Sequence, residues 1–462
     1  MNKNFILFFI VLVLLTVKVV SIKFTNFNMF GDEAQYWLWS KELDFGYFSK
    51  PPFLAWAIRF YSEILQDSFF YLKLFPSIVY FLIAWGVYAL LKNVGLKNEN
   101  ALVGSLTFLF LPAVSFSSFI ISTDLFLLLF WTLSLNELIK IVKYQKITNF
   151  IFLGIFIGLG ILSKYAAIYF VLCFFILIII DKNFRKIFFD NYIKFFLSFL
   201  CFIVILLPNL IWNVNNNWVT LQHTSDNANF ENIQLNIIRG LEFLIIQTFM
   251  LGPFIVLGRF FGFKKKERFQ NFFLIFSLPI ILIVFIEAII VRANANWAAP
   301  ALISLYIYLY IGLSNFYLRV FNYLFNFVFC CIFFIMIGIN YPSNMFNRIN
   351  GLKDYAEEIY ENASDLSKKN MVISDRLLFS SLNYELRKKN ITFFMPHKEG
   401  AEITNHFKIS QPLDESMNNS FTFIGSLSDI NYLEKDYKLI KKDSPNQIFT
   451  KRRLDVYEVI FE

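Results

Sequence analysis

The sequence contains little cysteine, histidine or charge, and each shortage excludes a class of protein. Four cysteines and three histidines occur in 462 residues. The cysteines all lie within apolar runs, so neither a disulfide framework nor a cysteine-based metal site is expected. The histidines are scattered without metal-ligand spacing. We therefore predict no metal ligands and no cofactor, and the sequence leaves a requirement for a divalent metal open.

The low charge is matched by a high apolar content. Charged residues make up 16% of the chain, hydrophobic residues 57%, and the mean hydropathy is +0.55. A soluble domain is about a quarter charged. The 61 phenylalanines alone would overfill one soluble core, whereas a bilayer accommodates such a surface. The composition predicts a polytopic membrane protein.

The charge that remains is unevenly distributed. Residues 345–462 contain 17 Lys and Arg against 18 Asp and Glu, so a net excess of +9 lies in residues 1–344. A basic excess in a membrane part is typical of cytoplasmic loops. We prefer this explanation to nucleic-acid binding and predict no nucleic-acid partner.

Apolar runs predict an all-α membrane domain of about eleven transmembrane helices. The first run, Phe5–Val20, is interpreted as a retained helix because no small-residue cleavage pattern follows it. Two short runs at 149–163 and 165–181 are split by Ser163 and Lys164 and could be a re-entrant or half-length pair, so the count could move by two, up to 13. The other runs lie near 71–91, 100–116, 122–139, 192–211, 240–260, 270–291, 298–314 and 320–340.

Lysine and arginine in alternate loops predict an orientation with the N-terminus in the cytoplasm. Lys3 precedes the first span, and Lys264–Lys266 with Arg268 belong to a predicted inner loop. We predict two domains, a transmembrane domain at 1–344 that includes an outer loop at 24–70, and a soluble outer domain at 345–462.

The outer domain has mixed periodicity. Residues 352–366 have an amphipathic pattern, and the short apolar stretches 371–374, 421–424 and 456–461 are typical of strands. These patterns predict a small C-terminal α/β domain.

The first outer loop concentrates residues that could carry chemistry. Asp32 and Glu33 follow the first span, and aromatic residues stand at 36, 37 and 39. Lys50 precedes a diproline that ends any preceding helix. Two short interfacial helices here could roof a cavity open to lipid and water. The structural alternatives are acids at a helix N-terminus and a lysine that reaches the interface.

This loop resembles that of the GT-C glycosyltransferases, in the branch that holds the protein O-mannosyltransferases and the lipid A aminoarabinose transferases. The similarity rests on Asp32-Glu33-Ala34-x-Tyr36-Trp37-x-Trp39 followed by Gly46-Tyr47-Phe48-x-Lys50-Pro51-Pro52. Four further segments are similar in the same order: Ser122–Leu125, Gly158–Tyr165, Pro208–Asn213 and Asn296–Pro300. The tail after residue 345 is only loosely similar.

The resemblance implies a GT-C fold and the transfer of a sugar from a polyprenyl or dolichyl phosphate, without a nucleotide sugar. The acceptor would be lipid A or lipopolysaccharide, another glycolipid or a protein, at the periplasmic face of a bacterial cytoplasmic membrane. Asp32 matches the family's catalytic aspartate, and Lys50 matches the lysine that faces the donor phosphate. Aminoarabinose transferases often carry an acid where this chain has Ser49, so the acceptor chemistry stays open.

The chemistry of such a transfer agrees with these roles. Inverting transfer to a hydroxyl needs a carboxylate near the acceptor proton, for which Asp32 is expected and Glu33 is the neighbouring candidate. The departing lipid phosphate gains negative charge, which fixed cations stabilise. Lys50 is the first candidate for this task and Arg292 the second, although Arg292 could simply anchor the end of a span.

Five further residues are candidates for substrate binding: Tyr47, Asp124, Lys164, His223 and Asn296. Asp124 could instead cap a helix. Lys164 lies between two apolar runs, so its charge must reach water, a lipid phosphate or a carboxylate. His223 could contact an acceptor, and Asn296 could instead shape the start of a helix.

Two other function classes fit the composition. A flippase for a lipid-linked glycan would place ionisable residues at mid-membrane, often in repeated halves. Most predicted spans here lack such charges, and no repeat is evident. A non-catalytic scaffold would need no acid and lysine beside a lipid-accessible groove. We therefore predict an inverting glycosyltransferase, with a lipid-linked glycan flippase or transporter as the alternative.

Overall fold

A computed structural model describes residues 3–228, 233–261, 263, 269–433, 435–445, 447–450 and 453–461, with side chains from residue 9 onward. The predicted inner-loop residues Lys264–Lys266 and Arg268 lie outside the described residues, as does the side chain of Lys3. The chain divides into two compact units. We call them the helical unit (Met1–Lys23, Lys50–Leu54 and Phe70–Met336) and the mixed unit (Phe24–Ser49, Ala55–Phe69 and Ile337–Glu462).

Helices dominate the chain, and short 3-10 turns occur at Tyr165–Ala167, Ala295–Ala298, Asn344–Ile349 and Leu427–Asp429. In chain order the α-helices are α1 (Lys3–Phe24), α2 (Gly31–Trp39), α3 (Phe53–Leu65), α4 (Phe69–Asn93), α5 (Asn98–Leu109), α6 (Pro112–Ser117), α7 (Asp124–Tyr144), α8 (Ile147–Ser163), α9 (Ile168–Ile180), α10 (Lys182–Asp190), α11 (Tyr192–Asn215), α12 (Val219–Ala228), α13 (Ile237–Leu251), α14 (Pro253–Leu257), α15 (Gln270–Ile275), α16 (Leu278–Ile290), α17 (Ala299–Gly312), α18 (Phe316–Gly338), α19 (Leu352–Asn362), α20 (Arg376–Glu385) and α21 (Phe407–Ser410).

The helical unit carries the membrane-spanning segments. Within the described residues, five segments are long and apolar enough to cross a bilayer: Phe69–Asn93, Asp124–Tyr144, Tyr192–Asn215, Gln270–Ile290 and Phe316–Gly338. A sixth results if Tyr165–Ile180 and Lys182–Asp190, bent by 105°, form one span. Large apolar side chains on these segments stay exposed, among them Trp85 at 69% and Val204 at 67%, as lipid-facing residues do. The chain is a multi-pass membrane protein, and the predicted count of about eleven spans is not confirmed.

Glycines allow α8 to pack closely against its neighbour α11. A Cβ at Gly154 would lie 2.0 Å from the carbonyl oxygen of Ser198, and one at Gly158 would lie 2.9 Å from Ile205. Small residues four positions apart let two helix backbones approach each other in a membrane. The same helix packs on α7. This packing fixes the end of α8, where Ser163 and Lys164 stand.

The mixed unit is built around a six-stranded sheet in the order β3-β2-β1-β4-β6-β5. The four strands from β3 to β4 run parallel, β6 pairs antiparallel with β4, and β5 pairs antiparallel with β6. Apolar residues from β1, β4 and β6, including Val372, Phe423 and Val459, form its buried core. The strands are β1 (Asn370–Ile373), β2 (Thr392–Pro396), β3 (Pro412–Leu413), β4 (Phe421–Gly425), β5 (Tyr437–Lys442) and β6 (Asp455–Phe461).

The first loop folds with this sheet-containing segment. Helix α2 packs on α20, and a Cβ at Gly31 would lie 2.6 Å from the Cβ of Leu377. The Trp37 ring meets the Tyr384 ring edge-on at 5.0 Å. The sequence-based division at residue 344 grouped the loop 24–70 with the transmembrane domain. The structure instead groups most of it with the C-terminal residues, because its apolar side chains are buried there.

Candidate active site

The acidic pair of the first loop lies in the first turn of α2, and its two carboxylates have different surroundings. Glu33 is completely buried, and its Oε2 accepts a hydrogen bond from the N–H of Phe30 at 2.8 Å. An acid at this position satisfies a backbone donor at the helix start. The Asp32 side chain is 59% exposed. Glu33 therefore holds the helix, while Asp32 is accessible to a substrate.

Arg376 is the charged partner of Asp32, and the sequence patterns did not predict it. Its Nη1 lies 3.7 Å from Oδ1 of Asp32 and donates to Oε1 of Gln35 at 2.6 Å. An exposed pair of this kind contributes at most about 1 kcal/mol, so Arg376 orients Asp32 without immobilising it. The available signal was the position of Arg376 just after the apolar stretch 371–374, because functional residues often follow the parallel strands of α/β sheets.

Tyr47 is completely buried within the mixed unit. Its ring stacks on Trp39 with centroids 4.6 Å apart and an interplanar angle of 4°. Its hydroxyl donates to the carbonyl of Trp39 at 3.0 Å and accepts from the N–H of Asp44 at 3.3 Å. Burial raises the pKa of this phenol. These contacts fold the loop that follows α2, which is a structural task.

Three predicted substrate-binding residues meet in the helical unit, and we call them the Asp124 cluster: Asp124, Lys164 and Asn296. Lys164 Nζ lies 2.7 Å from Oδ1 of Asp124, and Asn296 Nδ2 donates to Oδ2 at 2.9 Å. Asp124 is the first residue of α7, yet the side chain of the residue before it, Thr123, makes no capping hydrogen bond. Both oxygens of the Asp124 carboxylate are thus engaged by groups distant in sequence.

The break after α8 brings Lys164 to this cluster. Lys164 has an extended backbone, with φ −159° and ψ 131°, between α8 and the turn Tyr165–Ala167. The Tyr165 hydroxyl donates to Oδ1 of Asn209 at 3.1 Å and accepts from Nδ2 of Asn213 at 3.2 Å. This network ties the break to α11. The motif segments Gly158–Tyr165 and Pro208–Asn213 therefore act together in fixing the backbone beside Lys164.

Asn296 is positioned by the turn Ala295–Ala298, which precedes α17. Gln247 Nε2 on α13 donates to the carbonyl of Ala295 at 2.9 Å. Arg239 Nη1, on the same helix, donates to the carbonyl of Val291 at 2.6 Å. These two bonds hold the segment that leads from α16 to Asn296, so its amide faces the Asp124 carboxylate.

The structure does not join Arg292 to the Asp124 cluster. Within the described residues, Arg292 is exposed and makes no hydrogen bond or ion pair with any cluster member. Lys50 is half-buried in the helical unit, immediately before Pro51. His223 lies half-buried on α12.

Comparisons with known proteins agree with this architecture. The family model described as dolichyl-phosphate-mannose-protein mannosyltransferase matches residues 49–212. A lipid A galacturonosyltransferase, RgtD from Rhizobium johnstonii, is 30% identical over 293 residues. That match covers 62% of this chain, and this chain spans 61% of the length of that relative.

Solved structures of ArnT from Cupriavidus metallidurans share the fold. The apo structure has a TM-score of 0.66 at 12% identity, and the structure bound to undecaprenyl phosphate has a TM-score of 0.67 at 13% identity. Each match covers 99% of this chain and 98% of the other. The family match, the relative and the fold together confirm the resemblance predicted from the sequence motifs: the chain is similar to GT-C glycosyltransferases and has an ArnT-like fold.

Proposed function

We propose that the protein is a membrane glycosyltransferase that moves a sugar from a polyprenyl-phosphate donor to a glycolipid acceptor, with inversion. RgtD is described as acting on lipid A, and one ArnT structure holds undecaprenyl phosphate. Both support this donor and acceptor class for the present chain. The reaction takes place at the outer face of a bacterial cytoplasmic membrane, with the N-terminus inside and residues 345–462 outside, as the lysines of the predicted inner loops favour.

The observation that carries the proposal is the division of labour between the two acids of α2. Glu33 is buried and bonded to the backbone, whereas Asp32 is largely exposed. Asp32 accepts the proton of the acceptor hydroxyl, a role that contributes about 10²–10⁴-fold to such reactions. If the acceptor is an ionised phosphate, Asp32 orients it. Glu33 acts through Asp32, because it fixes the helix turn on which Asp32 stands.

Lys50 and Arg292 stabilise the donor phosphate as the sugar leaves. The bond from the sugar to the phosphate oxygen breaks as the acceptor oxygen attacks, so charge develops on a lipid phosphate. A fixed cation stabilises that charge most where water is scarce. Lys50 is half-buried and Arg292 is exposed, so Lys50 stabilises the charge on the leaving phosphate more strongly than Arg292 does. Arg292 guides the phosphate headgroup.

The Asp124 cluster binds the polar part of a substrate. Lys164 and Asn296 both point to the Asp124 carboxylate, and an amine and an amide in one place provide donors for sugar hydroxyls or phosphate oxygens. His223 is assigned to the acceptor side. Tyr47 contributes indirectly, by holding the loop that leads to Lys50.

A flippase for a lipid-linked glycan is the alternative, and one observation favours it. The Asp124–Lys164 pair is largely buried within a membrane unit, and intramembrane ionisable residues often mark transport pathways. A flippase would move the lipid-linked sugar without breaking the bond between sugar and phosphate. The two functions therefore differ in whether a labelled sugar leaves its lipid.

The test is a transfer assay in proteoliposomes that contain acceptor glycolipid and a panel of radiolabelled polyprenyl-phosphate sugars. The panel includes galacturonic acid, because that sugar appears in the description of RgtD. Label should move to the acceptor with wild type, and Lys50→Met should reduce the rate at least tenfold. Lys23→Met, at an exposed lysine near the end of α1, is the matched control. Label that crosses the bilayer but stays on polyprenyl phosphate would instead establish the flippase.

A further inference from the structure

A polar cavity of about 290 Å³ lies within the mixed unit. Its lining comes from the segments that follow three adjacent parallel strands. Ser374 follows β1, His397 and Lys398 follow β2, and Ser428 and Asp429 follow β4. The cavity therefore opens at the carboxyl edge of the parallel part of the sheet.

The strand order makes this edge a point where the chain reverses its direction of winding. The chain proceeds from β1 to β2 and β3 on one side, and then returns to β4 on the other side of β1. The loops after β1 and β4 consequently lead away from each other and leave a crevice between them. In open α/β sheets, ligands bind in such crevices.

Two buried polar atoms in the lining have no protein partner. Ser374 Oγ and His397 Nδ1 are inaccessible to water, and neither makes a hydrogen bond within the described part of the chain. Most buried polar atoms in proteins have a hydrogen-bond partner, so these two are exceptions within the lining. The Ser374 hydroxyl packs against Gly425, since a Cβ there would lie 2.1 Å from Ser374 Oγ.

The lining carries a local positive charge. Lys398 and Lys408 provide two ammonium groups against the single carboxylate of Asp429. Burial and the Lys408 ammonium lower the pKa of His397. The N-terminus of α20 does not provide further donors, because the Asp375 carboxylate accepts the N–H groups of its first turn. Lys398 and Lys408 are therefore the cationic groups that the lining offers to an anion.

The rest of the lining favours a carbohydrate. It consists mainly of hydroxyl and amide side chains with one aromatic ring, that of Tyr432. Sites for drug-sized ligands are lined mainly by apolar and aromatic side chains. A single hydroxylated ring with one charged group suits a polar cavity.

We propose that this cavity binds an anionic monosaccharide unit. The phosphate or carboxylate lies between Lys398 and Lys408, and the ring hydroxyls contact Ser428 and Asp429. The site is independent of the transfer chemistry proposed above, since it uses none of the residues assigned to that reaction.

The experiment is equilibrium dialysis of the full-length protein in phosphatidylcholine nanodiscs with radiolabelled glucose 1-phosphate and, in parallel, with radiolabelled galacturonate. Unlabelled glucose 1-phosphate, glucose and inorganic phosphate serve as competitors. Galacturonate distinguishes a carboxylate sugar from a phosphate sugar. Glucose tests the sugar ring alone, and inorganic phosphate tests the anionic group alone. The variants are Lys398→Gln with Lys408→Gln, and Ser428→Ala as a milder change. Lys369→Gln is the control, because Lys369 lines a cavity at the opposite, amino edge of the sheet.

We expect saturable binding that falls at least tenfold in the double lysine variant, falls less in Ser428→Ala and stays unchanged in Lys369→Gln. Glucose and phosphate should each compete at least tenfold more weakly than unlabelled glucose 1-phosphate. Binding should persist in Lys50→Met, which separates this site from the donor site. Absence of saturable binding of both anionic sugars, binding unaffected by the lysine changes, or equal competition by phosphate alone would overturn the proposal.

Discussion

Lys164 Nζ and Asp124 Oδ1 lie 2.7 Å apart, and the exposed fractions of the two side chains are 17% and 9%. The residues are 40 positions apart in the chain. Their ion pair connects the first turn of α7 to the break after α8, and Asn296 adds a third element to the same carboxylate. Removing one partner of a buried pair leaves an uncompensated charge, which typically costs about 3–5 kcal/mol.

The first prediction concerns this pair. Asp124→Asn should lower the apparent melting temperature of the purified protein, because Lys164 then lacks its counter-charge. Exchanging the residues in Asp124→Lys with Lys164→Asp should recover part of that loss. Transfer activity should stay at least tenfold below wild type in the exchanged variant, since the ammonium no longer stands at position 164. Full recovery of both stability and activity would mean that the pair is only structural.

The second prediction concerns the packing of α8 on α11. Gly154→Ala should destabilise the helical unit by about 1–3 kcal/mol, because the new methyl group meets the Ser198 carbonyl and the backbones must separate. Gly160→Ala is the matched control on the same helix, since its Cβ would lie 3.4 Å from the Ala167 Cβ, an ordinary contact. Thermal unfolding of both variants checks the claim. Equal stability in the two would contradict the proposed close approach at Gly154.

The third prediction is a pH dependence within the mixed unit. Burial raises the pKa of the Glu385 carboxyl from 4.5 to about 7, against the opposing effects of Arg387 and Lys353. The folded state thus binds this proton more tightly than the unfolded state. The stabilisation is complete below pH 4.5 and is lost as the pH rises through 7. Glu385→Gln should therefore stabilise the protein by about 1–3 kcal/mol at pH 8, with little effect at pH 4.5.

The measurement is the apparent melting temperature of wild type and Glu385→Gln at each pH. His406 titrates in the opposite sense, because burial lowers its pKa to about 4 and acid then destabilises the fold. Comparison of the two proteins at the same pH cancels this contribution. A stability difference that does not change between pH 4.5 and pH 8 would contradict the assignment to Glu385.

The sequence patterns predicted which segments form helices and strands better than they predicted how these elements pack together. The apolar stretches at 371–374, 421–424 and 456–461 coincide with β1, β4 and β6, because apolar side chains of these strands are buried in one core. Strand β5 was not predicted: its residues are largely exposed and include Lys438, Lys441 and Lys442. Such an edge strand lacks the apolar alternation on which strand prediction depends.

The candidate site shows the same limit. The motifs predicted Asp124, Lys164 and Asn296 as separate candidates. Only the fold shows that Lys164 and Asn296 both contact the Asp124 carboxylate. Arg376 was not predicted as the partner of Asp32, because 344 positions separate them and nothing local in the sequence links the two. The sequence pattern also did not predict that Glu33 is buried and Asp32 exposed. Adjacent residues on a helix face different directions, and the fold decides which direction is covered.

The central claim is that the exposed acid of α2 takes part in sugar transfer. It is tested by the single-turnover transfer rate of Asp32→Asn, with Glu42→Gln at an exposed acid of the same loop as control. We expect the Asp32 variant to lose about 100-fold or more in rate with an unchanged melting temperature, because the side chain is 59% exposed. The control should retain the wild-type rate. An Asp32→Asn protein that inserts normally and transfers sugar at the wild-type rate would contradict this account.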